Sequence, residues 1–235
     1  MLVGSLLSLA LLPAAMACSP PKPRDTNSTS KYPYATAGPE DASDPATTGY
    51  FVNHVALNVN NITRSVEFYT KVFGMRKMFT YHLTEHFSIT YLAHSGGGKN
   101  GTAYQTTEEL IRFKNNDAGK LELVSFDVEG KDIPGPPRMT STISHLGIIV
   151  PDIPATQARL EEFGVTIYKR VGDPFPSTGY MANPYSLGDA TNLSPEEWAD
   201  IQAAMGQLNM LNIFAADPDG NLLEILPLDE PNLFG

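Results

Sequence analysis

Residues 51–59 read FVNHVALNV, and residues 143–150 read ISHLGIIV. Both stretches are rich in apolar residues, contain one histidine, and precede a helical pattern that ends at a glycine, Gly74 or Gly164. Three further strand patterns follow each helix. The order strand–helix–strand–strand–strand therefore occurs twice, and this internal repeat predicts an α+β fold made of two βαβββ modules.

The predicted folded domain covers residues 50–235, with one module at about 50–130 and the other at about 140–228. In the first module the patterns predict a helix at 64–73, capped by Thr63, and strands at 51–60, 76–81, 87–93 and 121–128. In the second module they predict a helix at 155–163 and strands at 143–150, 165–170, 211–215 and 221–226. The glycine-rich run at 95–101 is predicted to be a flexible loop rather than a phosphate cradle, because no Gly-Lys-Ser/Thr follows it.

An insertion separates two strands of the second module and contains SPEEW at residues 194–198. Ser194 is a typical N-cap, Pro195 suits the first helical position, and the glutamates suit the positive end of the helix dipole. We therefore predict an added helix that ends near Met205. The surrounding region, residues 174–207, is either a lid over a site or a surface decoration.

Each module supplies one histidine from its first strand and one glutamate from its last: His54 and Glu122, then His145 and Glu224. A single strand histidine is commonly a core or surface residue, and a single glutamate is commonly an edge residue. The same residue types at equivalent places in both copies favour a shared role. Two carboxylates in apolar strands are costly to bury without a cation, and imidazole with carboxylate suits Zn, Ni, Co, Mn or Fe(II) better than Ca.

The sequence resembles the lactoylglutathione lyase (glyoxalase I) family of the vicinal oxygen chelate superfamily over most of residues 51–228. Besides the two histidine strands, the resemblance lies in EFYTKVFGM at 67–75, LEL at 121–123, HLGIIVPD at 145–152 and DPDGNLLEIL at 217–226. It implies the vicinal oxygen chelate fold, with a helical insertion in the second module. It also implies one divalent metal ion, Zn or Ni ahead of Fe, Co or Mn, and a site that often lies at a homodimer interface with ligands from both chains.

By this resemblance the metal ligands are His54, Glu122, His145 and Glu224. The implied reaction isomerises a hemithioacetal of methylglyoxal or a related 2-oxoaldehyde, by proton transfer through an enediolate. Glu224 is the implied base, with Glu122 as a second catalytic participant. Lys169 matches the position of a glutathione-contacting lysine and is the predicted substrate-binding residue.

Other expected glutathione contacts are absent from the sequence. Where the family can show an arginine, an asparagine and a second arginine, this chain has Asn58, Phe126 and Ser141. The four metal ligands of the family are therefore predicted to be present, whereas most of the residues that contact glutathione are replaced by others.

Two other functions fit the same residues. An Fe(II)-dependent ring-cleaving dioxygenase of the same superfamily would use His54, His145 and Glu224, which leaves Glu122 as a surplus ligand. A non-catalytic protein could bind a small molecule in the same cleft. Turnover of hemithioacetals, oxygen uptake with catechols, or neither of these would separate the three functions.

The N-terminus predicts secretion. Residues 2–12 form an uncharged apolar run, and AMA follows at 15–17, as in a signal peptide cleaved after Ala17. The run is too short to cross a hydrocarbon core of about 30 Å. A buried N-terminal helix and a lipoprotein acylated at Cys18 are the weaker alternatives. Residues 18–49 contain six prolines and are predicted to form an extended arm.

Composition limits the partners. The 235 residues are 42% hydrophobic, which is enough for a core, and the net charge of −10 disfavours nucleic acid. The single cysteine, Cys18, excludes an intramolecular disulfide. We expect a glycoprotein that is soluble after signal cleavage, binds a small carbonyl–thiol adduct and forms a homodimer. Its glycosylation sequons begin at Asn27, Asn61, Asn100 and Asn192.

Overall fold

A computed structural model of the protein describes residues 36–96, 103–127, 132–133, 143–176 and 194–229. The chain divides into two units. One comprises residues 1–37 with 231–235 and lies almost wholly outside the described residues, as do the predicted signal peptide and most of the proline-rich arm. The other unit, Gly38–Glu230, contains every element below. None of the helices in the described ranges is long and apolar enough to cross a membrane.

The elements of the first βαβββ unit, which we call module 1, are β1 (His54–Val59), α1 (Ile62–Lys71), β2 (Arg76–His82), β3 (Phe87–Ala93), α2 (Thr107–Phe113) and β4 (Lys120–Phe126). They form a four-stranded sheet in the order β1-β4-β3-β2. Strand β1 pairs with β4 in parallel, and the remaining neighbours are antiparallel. A short 3₁₀ turn at Pro45–Thr47 precedes them.

The elements of the second unit, module 2, are β5 (Leu146–Val150), α3 (Ile153–Glu162), β6 (Ile167–Lys169), α4 (Pro195–Leu208), β7 (Ile213–Ala216) and β8 (Leu222–Pro227). They repeat the topology of module 1 in the strand order β5-β8-β7-β6, again with a parallel pair formed by the first and last strands. The predicted repeat and the predicted helix capped by Ser194 are both confirmed.

Some element boundaries differ from the prediction. Helix α1 is capped by Asn61, whose side chain accepts a hydrogen bond from the Arg64 backbone N–H, so the predicted cap Thr63 lies inside the first turn. Asparagine is at least as good an N-cap as threonine, and it comes first in the chain. Helix α2 was not predicted; it begins at a capping box formed by Thr106 and Glu109.

One face of each sheet packs on its own helix. In module 1, Leu57, Val59 and Leu123 are buried against Tyr69 of α1, as alternation along the strands predicts. Module 2 has the same arrangement with a core that includes Leu160, Ile213, Leu223 and Ile225. The opposite face of each sheet, which we call its site face, is therefore the one on which His54 and Glu122, or His145 and Glu224, lie.

The DPDG turn of module 2 contacts α1 of module 1 through buried polar groups. The Tyr69 hydroxyl donates to Asp217 at 2.8 Å, and Ser65 and Arg64 donate to Asp219 at 3.0 and 2.6 Å. Burial raises the pKa of Asp217 above its ordinary value, while its hydrogen bonds, including that from Tyr69, oppose this rise. These bonds join the two modules at the turn that leads into the Glu224 strand.

Candidate metal centre

The register of the parallel strands brings one histidine and one glutamate together in each module. Glu122 pairs with Ala56, two residues after His54. Glu224 pairs with Gly147, two residues after His145. His54 lies on the same site face as Glu122, because side chains two apart along a strand share a face. His145 lies immediately before β5 rather than inside the predicted strand at 143–150, and its contact with Glu224 at 2.9 Å gives it the equivalent place in module 2.

In module 1, Nε2 of His54 lies 3.2 Å from Oε2 of Glu122. The Asn53 amide donates to the carbonyls of Lys114 and Asp117, which fixes its Oδ1 toward Nδ1 of His54 at 3.1 Å. An amide oxygen only accepts, so the tautomer of His54 with its proton on Nδ1 satisfies this contact and leaves Nε2 facing the carboxylate. In that tautomer the nitrogen and the carboxylate oxygen are both acceptors, and a metal ion between them would bind both.

In module 2, Nε2 of His145 lies 2.9 Å from Oε2 of Glu224, and Nδ1 of His145 is 2.9 Å from the Ser144 hydroxyl. The two glutamate side chains are only 15% and 13% exposed in modules 1 and 2. Metal-binding histidines usually have an outer partner on one ring nitrogen and direct the other nitrogen at the metal ion, which here would lie between Nε2 and the carboxylate. The same arrangement occurs in both modules.

The spacing within each pair fits a metal ion. Bonds of about 2.0–2.1 Å at tetrahedral or octahedral angles place two neighbouring ligand atoms about 2.9–3.4 Å apart. The observed separations of 3.2 and 2.9 Å lie within this range. Each pair can therefore supply two adjacent ligands without rearrangement.

The two pairs do not meet within one chain. Across the described parts of the chain, no three His, Cys, Asp or Glu side chains gather closely enough to hold a metal ion. Each chain thus presents two separate half-sites, the His54–Glu122 pair and the His145–Glu224 pair. A cavity of about 460 Å³ lies beside the second half-site, but of the four candidate ligands only His145 lines it.

Two polar residues that the sequence did not predict hold the glutamates. The Tyr91 hydroxyl donates to Oε2 of Glu122, and burial together with this bond raises the pKa of Tyr91 to about 12. Asn212 donates to Oε1 of Glu224 at 3.2 Å. Tyr91 stands opposite Glu122 on β3, so the predicted strands contain it, but its partner follows only from the register.

Lys169 and Glu224 lie on either side of Phe214 in the second sheet and on the same face of that sheet, because both residues pair with Phe214. Its side chain is buried, and its ammonium donates to the backbone carbonyls of Arg170 and Asn212 at 3.0 and 2.9 Å. Burial lowers the pKa of Lys169. In this structure the ammonium of the predicted substrate-binding lysine therefore contacts the backbone of Asn212, the residue whose side chain donates to Glu224.

Asn61 is exposed at the start of α1. The other three sequon asparagines and Ser141 lie outside the described residues.

Comparison with known proteins agrees with this architecture. Residues 51–225 match the model of the Glyoxalase/Bleomycin resistance protein/Dioxygenase superfamily. The lactoylglutathione lyase of Schizosaccharomyces pombe is 29% identical over 131 residues, which is 53% of this chain but only 40% of that enzyme. The lactoylglutathione lyase of Pseudomonas aeruginosa is 28% identical over 148 residues, or 60% of this chain and 81% of that enzyme.

Among solved structures, the trypanothione-dependent glyoxalase I of Leishmania major aligns with a TM-score of 0.43 at 17% identity. That alignment covers 76% of this chain and 86% of the other. The family match spans both βαβββ modules and all four candidate ligands. The chain therefore belongs to the Glyoxalase/Bleomycin resistance protein/Dioxygenase superfamily and has its fold of paired βαβββ modules.

Proposed function

We propose that the protein is a metal-dependent enzyme of the lactoylglutathione lyase type, which isomerises a hemithioacetal of methylglyoxal or a related 2-oxoaldehyde. The observation that supports this proposal most is the presence of two equivalent His–Glu pairs with the spacing of adjacent metal ligands. The relatives named lactoylglutathione lyase support the same reaction class.

In this proposal the complete centre combines the His54–Glu122 pair of one chain with the His145–Glu224 pair of a second copy. The separation of the half-sites in one chain is the reason for requiring two copies. Two imidazoles and two carboxylates suit Zn²⁺ or Ni²⁺, with Fe, Co or Mn as further choices. Two such centres form in a symmetric dimer, one per chain.

The bound metal ion would polarise the two vicinal oxygens of the substrate. Glu224 removes the proton from the carbon that bears sulfur and oxygen, and it returns that proton to the neighbouring carbonyl carbon. The hydroxyl proton on that first carbon passes to the former carbonyl oxygen. The first carbon thereby becomes the thioester carbonyl and its neighbour bears the hydroxyl group, so no proton is gained or lost overall and the reaction is an isomerisation. Glu122, with one oxygen facing both His54 and Tyr91, is its counterpart in the other half-site.

Elemental analysis of the purified chain, followed by assays on hemithioacetals of several thiols, tests the proposal. We expect about one metal ion per chain and turnover of at least one adduct. His54→Ala and His145→Ala should each lower the metal content markedly, whereas His86→Ala, at an exposed position outside the half-sites, should not. Full metal content in both ligand variants would show that the site is elsewhere.

The same assays separate the alternative functions. Oxygen uptake with catechols in an iron-loaded protein would instead indicate a dioxygenase. A metal-loaded protein that turns over neither substrate class would indicate a small-molecule binding protein.

We further propose that the protein is secreted. The apolar run at 2–12, the small residues at 15–17 and the exposed Asn61 sequon support this route. N-terminal sequencing of the product from its native host should find Cys18 first, outside the cell. A full-length intracellular product would contradict secretion.

A further inference from the structure

An aromatic strip crosses the site face of the first sheet, beginning at the His54–Glu122 pair. The ring of Tyr91, opposite Glu122, lies 5.4 Å from that of His54. Phe79 stacks on Tyr91 at 4.9 Å with an interplanar angle of 25°. Tyr81 meets Phe79 edge-on at 5.1 Å and is 62% exposed. The strip, which we define as Tyr91, Phe79 and Tyr81, therefore runs from the half-site to solvent.

Phe126 adds a second exposed ring to this face. It lies four residues after Glu122 on β4, which places it on the same face, and it is 57% exposed. Its ring contacts Phe87 edge-on at 6.2 Å. Exposed aromatic rings grouped beside a polar site are more typical of a binding surface than of ordinary surface.

The equivalent face of module 2 is closed. Phe214, at the position that Tyr91 occupies in module 1, is fully buried. Phe175 packs edge-on against it at 5.8 Å, and Met205 of α4 packs on the same cluster. Phe175 and Met205 of α4 thus cover the second sheet beside Glu224, and the first sheet is left as the open side of the proposed centre.

The described cations beside the two half-sites have partners of their own. Lys120 is buried and donates to the Asp117 carbonyl, and Lys169 is buried with its ammonium on two carbonyls. Arg76 pairs with Ala93, two residues after Tyr91, and so lies on the same face of the first sheet; it donates to Thr107 and is covered by the ring of Tyr104. A glutathione arm carries two carboxylates, and cations that are already paired give it little charge complementarity in a chain with a net charge of −10.

We propose that the aromatic strip, together with Phe126, binds the non-reacting part of the substrate, and that this part is an uncharged aromatic group rather than a peptide thiol. The inference rests on the proposed metal centre, which holds the reacting end at His54 and Glu122. An aromatic group lying along the strip gains stacking contacts and buries apolar area.

Binding of two hydroxamic acids to the metal-loaded full chain tests this inference. Benzohydroxamic and acetohydroxamic acid present the same pair of vicinal oxygens to a metal ion and differ in phenyl against methyl. Isothermal titration calorimetry should give a dissociation constant about tenfold lower for benzohydroxamic acid. In Tyr81→Ser and in Phe126→Ser this ratio should fall toward one, because each variant removes an exposed ring from the surface. Phe163→Ser, which removes an exposed ring at the C-terminal end of α3, is the control and should keep the wild-type ratio.

The outcomes separate this inference from the proposed function. Two hydroxamates that bind the wild type equally, or a ratio that neither variant changes, would overturn the aromatic specificity and leave the metal centre intact. If neither hydroxamate binds the metal-loaded protein, the proposed centre fails and this inference fails with it. Conversion of a wild-type dimer to monomers by both variants in analytical ultracentrifugation would identify the strip as a subunit contact and would also overturn the inference.

Discussion

Asn212 donates a hydrogen bond to Oε1 of Glu224 at 3.2 Å, while the other carboxylate oxygen faces His145 at 2.9 Å. The same amide group donates to Oδ1 of Asn209 at 2.9 Å, and both asparagines are buried. Asn209 is the C-cap of α4. The inserted helix is therefore connected to Glu224 through two consecutive hydrogen bonds.

Replacement of Asn212 by alanine should affect both stability and the site. Loss of a buried hydrogen bond to a carboxylate should lower the free energy of unfolding by about 1–3 kcal/mol. Loss of an outer partner of a metal ligand should weaken metal affinity or turnover by about 10–100-fold. Chemical denaturation and metal titration measure the two effects, and the exposed Asn116→Ala is the matched control. A stability loss with unchanged metal affinity and turnover would mean that the bond is only structural.

The two glutamates should differ in catalysis. Glu224→Gln keeps an oxygen that can coordinate, but an amide cannot accept a proton at neutral pH. We expect isomerisation to fall by about 10²–10⁴-fold, the usual contribution of a general base, with metal still bound. Glu122→Gln should reduce the rate less. Rates must be compared at equal metal occupancy, and a wild-type rate in Glu224→Gln would remove this residue from the mechanism.

The repeat and the faces of its strands are predictable from the sequence because alternation and glycine stops are local signals. Leu57 and Val59 are buried and His54 is on the opposite face, as alternation requires. Helix α2 is not predictable in the same way. It has seven residues and only Leu110 is buried, so it shows too little periodicity, although its capping box is visible in the sequence.

The residues that form hydrogen bonds with Glu122 and Glu224 depend on the register in which neighbouring strands pair, and this register cannot be read from the sequence. Tyr91 corresponds to Phe214 of module 2, because each pairs with the glutamate of its own sheet. Asn212 lies two residues before Phe214, immediately ahead of β7. Each glutamate therefore accepts a hydrogen bond from a polar side chain, but the donors, Tyr91 and Asn212, are not at equivalent positions of the two modules. Comparison of the two repeats alone would pair Glu224 with a phenylalanine.

The contact between Tyr69 and Asp217 should matter for the stability of the whole domain. Tyr69→Phe removes a 2.8 Å hydrogen bond to a buried carboxylate that joins the two modules. We expect the free energy of unfolding to fall by about 1.5–3 kcal/mol in urea. Tyr104→Phe, at an exposed position, should change it by less than about 0.5 kcal/mol. Equal effects of the two substitutions would contradict this role for Tyr69.

Lys169 should make stability depend on pH. Burial lowers its pKa in the folded state, so the unfolded state binds the proton more readily. The stability that this lysine contributes is fully present above the ordinary lysine pKa of about 10.4 and is lost as the pH falls through the lowered folded-state pKa. The free energy of unfolding of the wild type, minus that of Lys169→Met, should therefore increase as the pH rises from 7 toward about 10.4. A value that decreases over this range would contradict a lowered pKa for Lys169.

Complementation between two inactive variants tests the central claim most directly, namely that the half-sites of two chains form one metal centre. One variant lacks the first half-site (His54→Ala with Glu122→Ala), and the other lacks the second (His145→Ala with Glu224→Ala). Each variant alone should bind no metal at the centre. In a mixed dimer, the intact half-site of one chain meets the intact half-site of the other and restores one centre of two.

Because random mixing makes half of the dimers mixed, an equimolar mixture, refolded together, should recover about a quarter of the wild-type metal content and turnover. If wild type binds metal but the mixture recovers none, the ligands do not come from two chains, and the account is wrong.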